Sequence, residues 1–236
     1  MKIGKAFLVF SVIVIFICGF SGAVFSGGND TLAIAGFTSG EIKDGAPLEW
    51  ELVKKSGTPV IKLEKVGDKF CLHMVSDSDS SFGINKEIKV NAAEHPFFNW
   101  KWRVAKLPKG GDVRKADTDD QAIQIYVAFK ATGWPVKLNT PTIGYIWDNE
   151  APKDAVVTSP QPLSGKVRYI VLRNKSDELN KWYEEKRNIS EDYKKLFPDI
   201  EGGKLRDVEG IMFYINSQHT KSEGDSCLYD VYFSKN

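Results

Sequence analysis

Cysteine, histidine and methionine are scarce in this sequence, three of each among 236 residues. So few thiols exclude a disulfide-dense scaffold. His73, His95 and His219 stand apart, with no His-Glu-x-x-His element and no close ligand spacing of a zinc cluster. No Gly-x-Ser-x-Gly elbow is present, so the nucleophile signature of an α/β-hydrolase is missing. Charge of one sign is lacking too, since 32 Lys and Arg face 31 Asp and Glu. Without a basic excess there is no electrostatic source for gripping a phosphate backbone, which argues against nucleic acid as a partner. Internal repeats and low-complexity tracts are absent as well, which argues against solenoids, propellers and tethered modules.

One long apolar run is present, and it is N-terminal. Lys2 and Lys5 precede the Phe-, Leu-, Val- and Ile-rich stretch from Ala6 to Ile17, and the small residues Ser21, Gly22 and Ala23 follow. That is the layout of a secretory signal peptide over residues 1–26, with cleavage after Ala23 or Ser26. Residues 6–29 carry no charge, so an uncleaved leader is long enough to serve as a membrane anchor. The expected location is exported, periplasmic or secreted, with membrane contact only through this segment if it is retained. Cys18 follows Ile15, Phe16 and Ile17, which do not form a lipobox. Cleavage leaves Cys71 and Cys227, which an oxidising compartment could join in one disulfide; two buried thiols on two strands are the equal alternative.

Residues 27–236 read as a single domain with enough apolar content, 42% over the whole chain, to bury a core. Period-two alternation is clear in Phe98, Trp100, Trp102 and Val104, and again in Ile123, Ile125, Val127 and Phe129. Further strands are expected over 59–65, 70–75, 81–90, 142–147, 167–173, 210–216 and 226–234. Turn chemistry such as Lys109-Gly110-Gly111-Asp112 and Pro160-Gln161-Pro162 separates them. Two helix starts are expected, one at Ser176-Asp177-Glu178 running to Glu185, the other at Ser190-Glu191-Asp192 running to Phe197, where Pro198 stops it. The fold class is therefore all-β: a two-sheet antiparallel β-sandwich of jelly-roll type with a short helical insertion.

Several segments carry a resemblance. They are Trp100–Val104, Leu107–Arg114, Asp119-Asp120-Gln121-Ala122, Ile125–Phe129, Gly144–Trp147, Arg168–Arg173, Trp182 with Glu185–Ile189, Asp192-Tyr193, Gly210-Ile211, Asn216, Thr220 and Tyr229–Phe233. In this order they resemble the bacterial domain-of-unknown-function family 3047, from about Gly36 to the C-terminus. Phe197-Pro198 departs from the Phe-Gly expected there. The resemblance implies an exported β-sandwich and no activity. A looser similarity links Phe37–Trp50 and Gly224–Phe233 to galactose-binding-like jelly rolls; many of those are carbohydrate-binding modules with a structural calcium ion.

The candidate ligand residues are Arg103, Asp120, Gln124, Tyr126, Trp134, Tyr145, Trp147 and Arg173. Aromatic faces stack on sugar rings, while carboxylates, amides and guanidinium groups fix hydroxyls. Trp100 and Trp102 share a face with Phe98 and Val104, which marks them as core. Trp134 sits between Gly133 and Pro135 in a turn, so it is expected to be exposed. Arg103, Arg168 and Arg173 lie in strands and need an anionic partner, Asp120 or Asp148 being in prospect, unless they serve a cleft for carboxylate or uronate groups. Asp112, Asp117 and Asp119, with Asp230, offer hard oxygens of the kind calcium takes; the competing reading is a solvated turn with Arg114 or Lys115 paired to an acid. No catalytic residue is assigned. The leading expectation is a non-catalytic exported sandwich binding a polysaccharide, glycan or other envelope ligand. The alternatives are a polysaccharide lyase or hydrolase using Tyr126 or His219, and a protein-binding envelope component.

Overall fold

The computed structural model describes residues 30–236 apart from 36, 38 and 39, so the leader lies outside the described residues. In chain order the strands are β1 (Thr31–Ala35), β2 (Ile42–Lys43), β3 (Ala46–Pro47), β4 (Glu51–Ser56), β5 (Val60–Val66), β6 (Lys69–Ser76), β7 (Ser81–Val90), β8 (Phe97–Lys106) and β9 (Ile123–Phe129). They continue as β10 (Thr142–Trp147), β11 (Val156–Thr158), β12 (Val167–Arg173), β13 (Tyr183–Asn188), the helix α1 (Ile189–Leu196), β14 (Val208–Asn216) and β15 (Gly224–Ser234).

One sheet has the order β13-β8-β15-β6-β5, with β1 also paired to β15. The other runs β11-β12-β10-β9-β14-β7-β4, and β2-β3 form a separate hairpin turned by Asp44-Gly45, both at positive φ. This is a two-sheet β-sandwich of jelly-roll type. Among the described residues its pairings are antiparallel with one exception, β10 beside β12. A parallel neighbour requires the chain to return by a crossover, and here segment 148–166 does so, laying Ala151 and Ala155 against the outer face of the second sheet.

The interior is aromatic because the alternating strands present their large residues to one side. Trp100 and Trp102 on β8 meet edge to face at 5.5 Å, and Trp102 lies 5.8 Å from Trp147 of β10. Tyr145 packs against Trp100 at 5.2 Å. All four are fully buried, and truncating a Trp in such a core costs about 3–5 kcal/mol.

The first helix expected from sequence is not formed. Asp177 spends its carboxylate on the backbone N–H of Asn174 and on Arg173 and Lys153, so the acid closes a turn. Tyr183–Asn188 then alternate and pair with β8. The second helix forms one residue earlier than its Ser190 signal, because the Asn188 side chain accepts from the N–H groups of Ser190 and Glu191. It ends at Leu196, before Phe197-Pro198. Its Tyr193 meets Phe129 edge to face at 4.7 Å, and its buried Asp192 accepts from Tyr145 Oη at 2.8 Å and from Arg187.

Candidate functional site

The outer face of the second sheet starts with Gln124 and Tyr126 on β9, Gly144 and Ile146 on β10, Tyr169 and Val171 on β12 and Met212 and Tyr214 on β14. In many sandwiches such a face is open to water. Here the crossover and the loop 108–121 close it, and Tyr126, Tyr169 and Tyr214 are all buried. Asp148 ties the two covering segments together by accepting from the N–H groups of Val113 at 2.9 Å and Ala151 at 2.7 Å. Gly144 is required beneath Tyr169, because a Cβ there would stand 2.4 Å from the ring.

At the end of this face where β9 begins, polar groups converge. Asp119 is only 5% exposed; one carboxylate oxygen accepts from Gln161 Nε2 at 3.0 Å. The other oxygen finds no partner of good geometry, and neither does the Gln161 carbonyl oxygen. Burial pushes the Asp119 carboxyl up to about 7, against the opposing influence of the Gln161 and Gln121 amides. Gln124 donates to Gln121 Oε1 at 2.6 Å and to Asn216 Oδ1 at 2.5 Å, and it accepts from the Tyr126 hydroxyl, which also lies 3.2 Å from that of Tyr169. Burial raises both phenols, so they stay protonated and act as hydrogen-bonding groups. Asp120 anchors the β14–β15 loop, accepting from Asn216 Nδ2 and from the N–H and hydroxyl of Thr220.

The rim is ionisable. Lys55 on β4 is held below the usual amine range by burial, against the pull of Asp119 and Asp120. His219 is also lowered, first by burial and then by Lys55 and Lys221, with Asp120 opposing. Gln218, beside it, has both amide atoms buried without partners.

Of the residues proposed from sequence, the structure brings Asp119, Asp120, Gln124 and Tyr126 into this cluster. It does not bring the others. Tyr145 and Trp147 sit on the core side of the same sheet, because odd positions of β10 point inward, so neither is a stacking platform. Trp134 is 88% exposed but belongs to the loop after β9, at the opposite end of that strand from Asp119. Arg103 lies on the other sheet, over the Trp182 ring and 3.5 Å from Cys227 Sγ, without the Asp120 or Asp148 partner expected. Arg173 is spent on Glu185 at 2.7 Å and Asp177 at 3.1 Å, and Arg168 on Asp199.

The calcium set is likewise dispersed. Asp112 is held below the usual carboxylate range by Arg114, which it binds through both oxygens, and Lys115 lies at 3.6 Å. Asp117 is exposed on the loop, Asp119 faces Gln161, and Asp230 sits on the first sheet bound to Lys69 at 2.7 Å. Four carboxylates so separated and so paired do not make a calcium cage.

Sequence reasoning passed over Lys55 and Gln218, which no spacing links, read Gln161 only as part of a turn, and met Tyr169 only within the resemblance segment Arg168–Arg173. Gln121, Asn216 and Thr220 were legible as parts of the resemblance segments, though not as site residues.

A second cluster occupies the outer face of the first sheet. His73 Nδ1 lies 2.7 Å from Glu64 Oε1 and its Nε2 lies 2.9 Å from Asp225 Oδ1. Cys71 and Cys227 are both buried free thiols. The Cys227 thiol is lowered to about 7, first by the hydrogen bond from Cys71 and then by His73 and Arg103, with burial opposing; the Cys71 thiol is raised by the same contact and by burial.

Fold and sites together define a two-sheet jelly-roll β-sandwich whose second sheet is roofed over a buried polar cluster. The chain belongs to the family described as protein of unknown function, DUF3047, whose model matches residues 48–232. No curated protein sequence matches it. Among solved structures it is similar to the family 11 carbohydrate-binding module of a cellulosomal cellulase of Clostridium thermocellum. That similarity has 10% identity, 79% of this chain and 88% of that one covered, and a TM-score of 0.42. It is similar also to the module TmCBM61, solved with β-1,4-galactotriose, at 12% identity, 86% and 95% coverage and TM-score 0.38. A third similarity is to the glycoside hydrolase domain of Endo-D from Streptococcus pneumoniae R6, at 9% identity, 79% and 22% coverage and TM-score 0.39. At these scores the likeness assigns neither a ligand nor a reaction to the chain.

Proposed function

We propose that the chain is an exported, non-catalytic β-sandwich protein that binds a carbohydrate or another hydroxyl-rich ligand of the cell envelope at the Asp119–Gln161 cluster. One observation carries this reading: a buried carboxyl and a buried carboxamide, each with an unpartnered oxygen, stand beside two phenols and two further glutamines. Buried polar atoms without partners cost free energy unless something satisfies them. Carboxamides, phenols and a carboxyl are the groups that hold sugar hydroxyls in paired hydrogen bonds. Entry would be past Lys55, Gln218 and His219. The N-terminal leader supports export to the periplasm or beyond, with the membrane reached only through that leader if it is retained.

The enzyme reading keeps one favourable observation, an acid near 7 within the electrostatic reach of the phenols. The raised phenols weigh against it, since neither is ready to serve as a base at neutral pH. Affinity electrophoresis against bacterial and plant polysaccharides, with a reducing-end and unsaturated-product assay on any glycan retained, separates the two. Retardation that Asp119→Ala and Gln161→Ala abolish, without product, is expected. Product release lost in Asp119→Asn would establish the enzyme instead, and no retardation by any glycan would overturn the carbohydrate reading.

A further inference from the structure

The outer face of the first sheet gathers donors that the glycan reading does not use. Across β5, β6 and β15 the register sets Glu64 opposite Cys71 and His73 opposite Cys227. The ligand atoms of Glu64, His73 and Cys227 lie within 4.8 Å of one another, and Cys71, two residues before His73 on the same face of β6, is the diagonal neighbour of Cys227. We propose that Glu64, Cys71, His73 and Cys227 form a binding site for a borderline-soft divalent transition metal, of which zinc is the type.

Two sulfurs, an imidazole nitrogen and a carboxylate oxygen are a tetrahedral donor set for such an ion, which sits about 2.0–2.3 Å from each donor. A hard cation such as calcium or magnesium takes oxygens and would leave both thiols unused. Cys71 and Cys227 are diagonal across their strand pair, since Cys227 faces His73, two residues along from Cys71. Diagonal neighbours in a regular sheet stand about 7–8 Å apart, with their Cβ atoms somewhat closer, whereas a disulfide requires Cβ atoms at about 3.8 Å. An ion can bridge the two sulfurs across the longer span.

The second layer is already in place. His73 Nε2 lies 2.9 Å from Asp225; an Nε2–H donated there in the loaded site leaves Nδ1, now beside Glu64, to the ion, which is the carboxylate–histidine–metal arrangement. The ion requires both thiols as thiolates and Nδ1 without a proton, so whatever protons these groups hold leave as it binds. Two thiolates and one carboxylate exceed the dication by one negative charge, and the guanidinium of Arg103, 3.5 Å from Cys227 Sγ, balances it.

The test is a titration of the reduced, metal-stripped full-length chain in detergent with Co²⁺, followed by displacement with Zn²⁺. One Co²⁺ per chain is expected, with a thiolate-to-cobalt charge-transfer band that Zn²⁺ removes. Cys227→Ser should weaken the band, Cys71→Ser together with Cys227→Ser should abolish it, and Asp225→Ala should weaken Co²⁺ binding about 10- to 100-fold with the far-ultraviolet dichroism unchanged. X-ray absorption of the zinc-loaded wild-type chain should show sulfur at about 2.3 Å, a readout independent of how any variant folds. No charge-transfer band, a band that survives the double cysteine variant, or a zinc shell without sulfur would overturn the proposal.

Discussion

Asp119 shows how the burial of one carboxyl bears on stability. Its carboxyl is raised from 3.8 to about 7 in the folded chain, so between those values the folded state holds a proton that the unfolded state has released. Stability contributed below about pH 4 is therefore lost as pH rises through 7, by an amount on the order of 4 kcal/mol. Asp119→Asn removes the titration. Urea unfolding across this range should show a falling stability in the wild-type chain and a markedly flatter profile in the variant; parallel profiles would show that the acid is not buried as described. Gly144 is the second residue whose identity is dictated by contact. Gly144→Ala forces a Cβ to within 2.4 Å of the Tyr169 ring, and overpacking of this kind should cost about 1–3 kcal/mol, read as a lower urea midpoint with an unchanged slope.

At the scale of elements, α1 depends on a cap that belongs to the preceding strand. The Asn188 side chain satisfies two of the helix's free N–H groups, and Asn188→Ala should cost about 1 kcal/mol in thermal unfolding, whereas Ser190→Ala, the cap expected from sequence, should cost less. The strands were legible where alternation was strong: 81–90, 123–129, 142–147 and 167–173 form with those bounds. β1, β4, β11 and β13 were not. β4, β11 and β13 are exposed or half-exposed edge strands, whose residues carry little hydrophobic contrast for a pattern to report. β13 was further masked by acids that look like a helix start until Arg173 and Lys153 are seen to claim Asp177.

For the whole molecule, the leader predicts a mature chain beginning after Ala23 or Ser26, which intact-mass measurement on protein from an envelope fraction would check; a full-length mass in the membrane fraction would identify the retained anchor. Cys71 and Cys227 are both free thiols in the structure. By itself the sequence determined the sandwich class, because period-two alternation with turn residues between is a local property that survives without a partner strand. It also determined the aromatic core of β8, since Trp100 and Trp102 share a face with Phe98 and Val104 whatever they pack against. Only the tertiary structure decided the site. Asp119 with Tyr126, Gln161 and His219 come from three separate segments, and the parallel placement of β12 beside β10 is what lays the Gln161 segment over that face. The same long-range pairing turned Tyr145 and Trp147 inward and carried Arg103 and Asp230 to the other sheet. Composition and spacing say which chemistry a residue can perform, but a residue's neighbours are set by strand order and crossover.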